Sequence, residues 1–193
     1  MPIVSGKYEH RENGVPNGIT ETWEYLDENH LHILFASPDY QLDATIILDE
    51  NKNVNRFAYH VDETLNGYYQ VQGSQLRVKR QLPANTQLDD TLVWSNDALL
   101  DLPFLSCKGH TILHLNQKGL TSTFAPILRS GDRAGDMAKQ SVQKLEQYSL
   151  NINDRVYQTT HYRYLRDYWL DKNGIVIRAE SGTYEMILVE YTP

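Results

Sequence analysis

The segment Val54-Asn55-Arg56-Phe57-Ala58-Tyr59-His60-Val61-Asp62-Glu63 decides the fold, because apolar and polar residues alternate along it. Every second position, from Phe57 through Tyr59 to Val61, carries a large apolar side chain, and the positions between them are polar or small. In an extended chain successive side chains point to opposite faces. A period of two therefore predicts a β-strand with one buried face and one exposed face.

The same alternation recurs along nearly the whole chain and is interrupted by turn signals about every ten residues. Residues 49–53 and 171–174 each begin with Asp and are rich in Asn, a composition typical of tight hairpin turns. Asn66-Gly67 predicts a further hairpin turn, because both residues tolerate a positive φ. The pattern predicts a mainly β fold with little helix: an antiparallel meander of about 11–13 strands, curved or closed into a half-barrel or barrel.

The middle of the chain is less regular than its two ends. Residues 99–105 predict an apolar loop packed over the core, and residues 110–116 and 120–128 predict another hairpin. The stretch after residue 134 fits helical and strand periodicity about equally well. We expect a short helical turn before Gln140 and a strand after it.

Composition and charge limit the classes of protein. The chain has 193 residues, 40% hydrophobic and 22% charged, as in an ordinary globular domain, so we expect one β-barrel-like domain over residues 1–193. Its net charge of −7 argues against non-specific nucleic-acid binding, because a phosphate backbone would be repelled. No segment is long and apolar enough to span a membrane, and no signal-peptide pattern is present. We expect a cytoplasmic protein or, alternatively, a periplasmic one whose signal has been removed; the sequence does not indicate the oligomeric state.

Standard motifs for cofactors and catalysis are absent from the sequence. It has no glycine-rich phosphate-binding motif, no H-E-x-x-H and no G-x-S-x-G, so no cofactor is expected. His30 with His32, and His110 with His114, could each place two imidazoles on one strand face, but no third ligand completes a metal pattern and no metal is predicted. The single Cys107 excludes an internal disulfide and predicts a buried or half-buried thiol.

Aromatic residues supply the candidate ligand site. A curled meander leaves a concave space, and apolar walls with a few polar groups are how β-barrels hold lipid-like molecules. His161 and Arg163 share a strand face and could offer a proton-transfer group and a cation to the ligand, or they could form an ordinary outer face. The predicted ligand-binding residues are Trp23, Tyr25, Tyr59, Trp94, Phe104, Phe124, His161, Arg163 and Trp169.

The segment from Tyr162 to Tyr191 contains the hairpin sequence Tyr-Trp-Leu-Asp-Lys-Asn-Gly at 168–174, followed by an apolar strand with Arg178 and a final strand. In this it resembles uncharacterised bacterial antiparallel β proteins related to the lipoprotein-carrier (LolA/LolB-like) half-barrels. The resemblance implies a sheet curled around an apolar hollow that binds acyl chains. It also implies export and a helix plugging the hollow, although no segment here has the pattern of an apolar helix.

These features favour a small-molecule binding protein that holds an apolar or amphipathic, lipid-like ligand in a β-barrel hollow. The alternative is a lipocalin-like isomerase, cyclase or hydratase that uses one acid–base residue in the cavity. A third hypothesis is an interaction protein that pairs through exposed strand edges. The sequence alone leaves open whether the protein is an enzyme.

Overall fold

The computed structural model describes residues 4–62, 65–81, 86–128 and 134–193. Within these ranges it contains sixteen strands and one helix. The elements are β1 (Ser5–Glu12), β2 (Val15–Tyr25), β3 (His30–Ala36), β4 (Gln41–Leu48), β5 (Val54–Val61), β6 (Leu65–Gln72), β7 (Gln75–Gln81), β8 (Gln87–Val93), β9 (Leu99–Leu100), α1 (Leu105–Lys118), β10 (Thr121–Pro126), β11 (Gly135–Gln140), β12 (Gln143–Ile152), β13 (Arg155–Tyr164), β14 (Arg166–Leu170), β15 (Val176–Ser181) and β16 (Tyr184–Thr192).

Thirteen of the strands form one curved antiparallel sheet. β1–β8 form one meander, β12–β16 form another, and a ladder between β1 and β16 joins the two. Among the described residues, the outermost strands β8 and β12 have no second neighbour in this sheet. The predicted mainly β antiparallel meander is thus confirmed, with one short helix.

The middle of the chain packs against the concave face of this sheet. It contains α1 and a three-stranded sheet in the order β11-β10-β9. The Tyr59 hydroxyl of β5 donates a hydrogen bond to the carbonyl of Leu128 at 2.8 Å, and the Tyr69 hydroxyl of β6 donates one to the carbonyl of Ala134 at 2.9 Å. The core therefore lies between the concave face and the middle segment, where most of the buried apolar side chains are found.

A glutamate of the sheet holds the first turn of α1. Glu21, on the concave face of β2, is 2% exposed. Its two carboxylate oxygens accept hydrogen bonds from the backbone N–H groups of Leu105 at 2.9 Å and Ser106 at 2.8 Å. First-turn N–H groups have no partner within a helix, and a negative charge is favourable at that end of it. Burial raises the pKa of Glu21, and these hydrogen bonds oppose that shift.

A buried polar network fixes the same helix to β13. Lys108 forms an ion pair with Asp101, and both side chains are buried. The other oxygen of Asp101 accepts a hydrogen bond of 2.7 Å from the Tyr164 hydroxyl. Burial and the adjacent Asp101 raise the pKa of Tyr164, so its hydroxyl stays protonated and can donate. Each charged group of this network thus has a partner, as burial of a charge requires.

The hairpin predicted across residues 110–128 is wrong, because residues 105–118 form α1. The carboxylate that satisfies its first turn comes from β2, so the local sequence carries no capping residue, and Phe104 provides no side-chain cap. The short helical turn expected before Gln140 is also wrong. Those residues form β11, which pairs along its length with β10.

Asn66-Gly67 does not form the predicted turn but lies inside β6. Gly67 is directly opposite Tyr59 in the β5–β6 ladder, and a Cβ atom there would lie 1.9 Å from the Tyr59 ring. The glycine is therefore needed for a close approach across two strands. The apolar segment 99–105 packs into the core, as predicted, with Leu100, Leu102 and Phe104 buried. It is not a loop throughout, because its first two residues form β9 and its last residue begins α1.

We expect Gly109→Ala to destabilise the protein by about 3 kcal/mol, because overpacking a tight contact costs energy that the helix cannot relieve. A Cβ atom at Gly109 would lie 1.7 Å from the backbone carbonyl oxygen of Gly174. The direction of the change in stability is informative, since the same substitution at an open helix position stabilises a protein by about 1 kcal/mol. Urea unfolding followed by tryptophan fluorescence measures the effect.

The matched control is Gln117→Ala, at an exposed position of the same helix. Its free energy of unfolding should stay within about 0.5 kcal/mol of the parent. Equal stability of Gly109→Ala and the parent would show that α1 does not dock against the turn that contains Gly174.

Candidate functional site

A cavity of about 640 Å³ opens at one end of the curved sheet, between α1 and the concave face. We call this end, which carries the turns at 26–29, 49–53 and 171–175, the mouth end. The residues that line the cavity are Val4, Tyr25, Leu26, Asp27, Glu28, Lys52, His110, Asn173, Ile175, Tyr191 and Pro193.

Two turns of the same construction shape the rim. In each, an aspartate carboxylate, that of Asp49 or Asp171, accepts backbone hydrogen bonds from residues two and four positions further on, at 2.8–2.9 Å. Both turns place their fourth residue in the left-handed region, Lys52 at φ 62° and Gly174 at φ 82°. These contacts confirm both predicted hairpin turns, and they fix Lys52 at the cavity wall.

A tyrosine–histidine pair forms part of the cavity wall. Tyr25 ends β2, and His110 lies in the second turn of α1. A hydrogen bond of 2.8 Å joins the Tyr25 hydroxyl to His110 Nε2. Burial raises the pKa of Tyr25, and burial followed by the charge of Lys52 lowers the pKa of His110. Near neutral pH the pair therefore consists of a phenol and an uncharged imidazole.

Trp23 supports this wall from behind. It is 1% exposed and packs edge-on against Tyr25, with ring centroids 6.0 Å apart. Its ring is also tilted against that of Tyr191, with centroids 6.4 Å apart. A Cβ atom at Gly6 would lie 2.7 Å from the Trp23 ring, so the neighbouring strand needs glycine at this point. Of the predicted ligand-binding residues, Tyr25 lines the cavity, and Trp23 packs behind Tyr25 and holds that side chain in place.

Four other predicted residues belong to a buried aromatic cluster deeper under the middle segment. Each ring of this cluster lies 5.9–6.5 Å, centroid to centroid, from the next, and Phe57 and Tyr69 are the rings that connect the others. The predicted members of this cluster are Tyr59, Trp94, Phe104 and Phe124. They fill the space between the sheet and the middle segment, and they do not line the mouth-end cavity. Tyr59 also borders a cavity of about 260 Å³ formed by β5–β8.

His161, Arg163 and Trp169 lie together on the convex face, away from the cavity. The imidazole of His161 stacks on Trp169 with centroids 4.5 Å apart and an interplanar angle of 8°. Asp167 Oδ1 is 2.7 Å from His161 Nε2 and accepts a hydrogen bond of 3.0 Å from Arg163 Nε. The neighbouring residue on β13 that faces inward, Tyr164, reaches Asp101 instead.

The sequence pattern does not indicate several of the cavity residues. It presents His110 as half of a possible metal pair on a strand, and it places Lys52 within a turn and Ile175 beside one. The described residues contain no group of three or more His, Cys, Asp or Glu side chains placed to hold a metal ion. Cys107 is buried, as predicted, and burial raises the pKa of its thiol, which disfavours the reactive thiolate.

No protein-family model matches this chain, and no curated protein matches it. Among solved structures it is similar to a β-barrel-like protein of a domain of unknown function, DUF1849, from Brucella abortus, with 14% sequence identity and a TM-score of 0.56. The alignment covers 98% of this chain and 97% of that one. This similarity supports a β-barrel-like fold of the kind found in uncharacterised bacterial proteins. Within the described ranges, no helix has the length and hydropathy needed to cross a bilayer.

The lowered pKa of His110 predicts that the free energy of unfolding falls as the pH decreases below about 6.5, the usual histidine value. Below that pH the unfolded chain binds a proton that the folded chain does not, so acid favours unfolding. His110→Gln should show a shallower fall between about pH 7 and pH 5 in urea unfolding.

In this variant the free energy of unfolding should still fall with decreasing pH, though less steeply, because burial also lowers the pKa of His10 to about 4. Gln117→Ala, at an exposed position of α1, removes no titratable group; it is the control and should retain the full slope. Identical slopes for His110→Gln and the parent would contradict a desolvated imidazole at this site.

Proposed function

We propose that this protein binds an apolar or amphipathic small molecule in the mouth-end cavity. The observation that carries the proposal is the combination of size and lining. A volume of about 640 Å³ lies within the range of small-molecule sites, which are mostly apolar with a few polar groups. The mouth-end cavity has an aromatic and aliphatic wall, and its polar groups are Tyr25, Asp27, Glu28, Lys52, His110 and Asn173.

The apolar part of the wall comes from separate strands and turns. Val4, Ile175 and Tyr191 are half-buried, and Leu26 on the rim is 56% exposed. Apolar surface removed from water by a ligand contributes about 25 cal/mol per Å². A ligand that covers these four side chains would gain affinity mainly through burial.

The architecture supports a lipid-like ligand more specifically. A curved sheet with a helix in its hollow is what the resemblance to lipoprotein-carrier half-barrels implies, and α1 occupies that position. We extend the proposal to residues 1–193 as one β-barrel-like domain. Within it, Trp23 and Tyr25 are the members of the predicted aromatic set that act at the site.

The second candidate function is catalysis by His110. Its half-buried imidazole lines the cavity and is uncharged near neutral pH, the form in which a histidine can accept a proton from a ligand. The partner Tyr25 would fix the orientation of the ring. Conversion of a bound ligand by the parent, but not by His110→Gln, would support this function over simple binding.

We expect untagged protein purified without detergent to bind the neutral dye Nile red, and Ile175→Trp to weaken that binding at least tenfold. The indole would occupy space that the ligand needs, because Ile175 lines the cavity. Fluorescence titration gives the affinity. Native mass spectrometry and solvent extraction of the parent would detect lipid-like material that copurifies.

Val15→Trp is the matched control, since it adds an indole at an exposed position on β2 at the end opposite the mouth. It should bind the dye like the parent. Equal binding by Ile175→Trp would place the dye outside the mouth-end cavity. Absence of dye binding together with empty extracts would overturn the proposed function.

A further inference from the structure

Lys52 is held in place at the cavity wall by two uncharged acceptors. Its Nζ atom donates a hydrogen bond of 2.6 Å to the backbone carbonyl of Glu28 and one of 3.0 Å to Asn29 Oδ1. The side chain thus reaches from the β4–β5 turn to the neighbouring β2–β3 turn. An ammonium group has three donors, so one N–H remains for another acceptor.

No described carboxylate neutralises this ammonium group within ion-pair distance. Two carboxylates of the neighbouring turns, Asp27 and Asp49, bond to other groups. The Asp27 carboxylate is hydrogen-bonded to the His30 imidazole and also accepts the backbone N–H groups of Asn29 and His30. Asp49 accepts the N–H groups of its own turn. Glu28 contributes its backbone carbonyl to Lys52, and its exposed side chain also lines the cavity.

The other polar groups in the cavity wall carry no positive charge: Asp27 and Glu28 are acidic, and Asn173 is neutral. Tyr25 and His110 bond to each other and are uncharged near neutral pH. Lys52 is therefore the cation that the described part of the wall offers to a ligand, fixed beside an apolar surface. Such a pairing of a fixed cation with an apolar wall complements a molecule that has an anionic head and an apolar chain.

We infer that the cavity selects single-chain amphiphiles with an anionic head group, a carboxylate in the simplest case, which accepts the remaining N–H of Lys52 while the chain lies along Tyr25, Ile175 and Tyr191. This inference rests on the binding function proposed above and adds the charge of the head group. A charge-assisted hydrogen bond is shorter and stronger than a neutral one, and it loses strength as salt screens the charge.

Three probes with the same alkyl chain separate the head-group chemistry: dodecanoate, dodecanol and dodecylamine. Each is titrated as a competitor of bound Nile red at neutral pH. We expect dodecanoate to bind about tenfold more tightly than dodecanol, a difference of about 1.4 kcal/mol, and dodecylamine to bind most weakly.

Lys52→Met should reduce dodecanoate affinity about tenfold and leave dodecanol affinity within twofold. Lys172→Met is the control, because it removes the same charge from an exposed position in the equivalent turn at the mouth end. That variant should leave both affinities unchanged. If Lys52→Met does not fold, the salt dependence of the parent decides: raising ionic strength from about 0.01 to 0.3 M should weaken dodecanoate and not dodecanol.

Equal affinity for all three probes, tighter binding of dodecylamine, or no effect of salt on dodecanoate would overturn the head-group inference and leave the binding function standing. If none of the three probes displaces Nile red, and Nile red itself does not bind, the proposed function fails as well.

Discussion

The docking of α1 inside the curved sheet is the constraint on which the rest of the structure depends. A sheet of thirteen strands with one apolar face needs a cover for that face, and the middle of the chain supplies it. Two contacts fix the helix against the sheet. Glu21 accepts hydrogen bonds from the N–H groups of its first turn, and in its second turn Gly109 packs directly against the backbone of Gly174, with no side chain between them. These two contacts set how far α1 enters the hollow. The mouth-end cavity is the space that the helix leaves unfilled.

The strands could be predicted because their information is local. Alternation of apolar and polar residues gives the same answer in every short window, and the Asp-led turns at 49–53 and 171–175 carry their own hydrogen-bond acceptors. The helix could not be predicted in the same way. Residues 105–118 contain Gly109 and several other weak helix formers, and the cap belongs to β2. Its stability comes from tertiary contacts, which a single sequence does not display.

In the candidate site, too, residues specified by a local strand pattern could be predicted, and residues brought there by tertiary contacts could not. Tyr25 and Trp23 could be predicted because both lie on the same face of one strand, and large aromatic side chains that share a strand face usually point into the hollow of a curled sheet. His161 and Arg163 were predicted to share a strand face, and they do, but that face is convex, and Trp169 lies beside them there. Which side chains of β13 point to the concave side of the sheet depends on the curvature of the whole sheet, which the sequence of one strand does not determine. His110 and Lys52 reach the cavity only because a helix and a turn, distant in sequence, meet there.

The ladder between β1 and β16 has a consequence for the order of events during synthesis. β1 and β2 are adjacent in the sequence and can pair as soon as both have left the ribosome, but the other edge of β1 must wait for β16, which is made after all the other described strands. Throughout that interval β1 is an unprotected strand edge, available for pairing with other nascent chains. Closure of this seam, which has a high contact order, is the step that we expect to limit the folding rate. A chaperone that shields β1 would act at that stage.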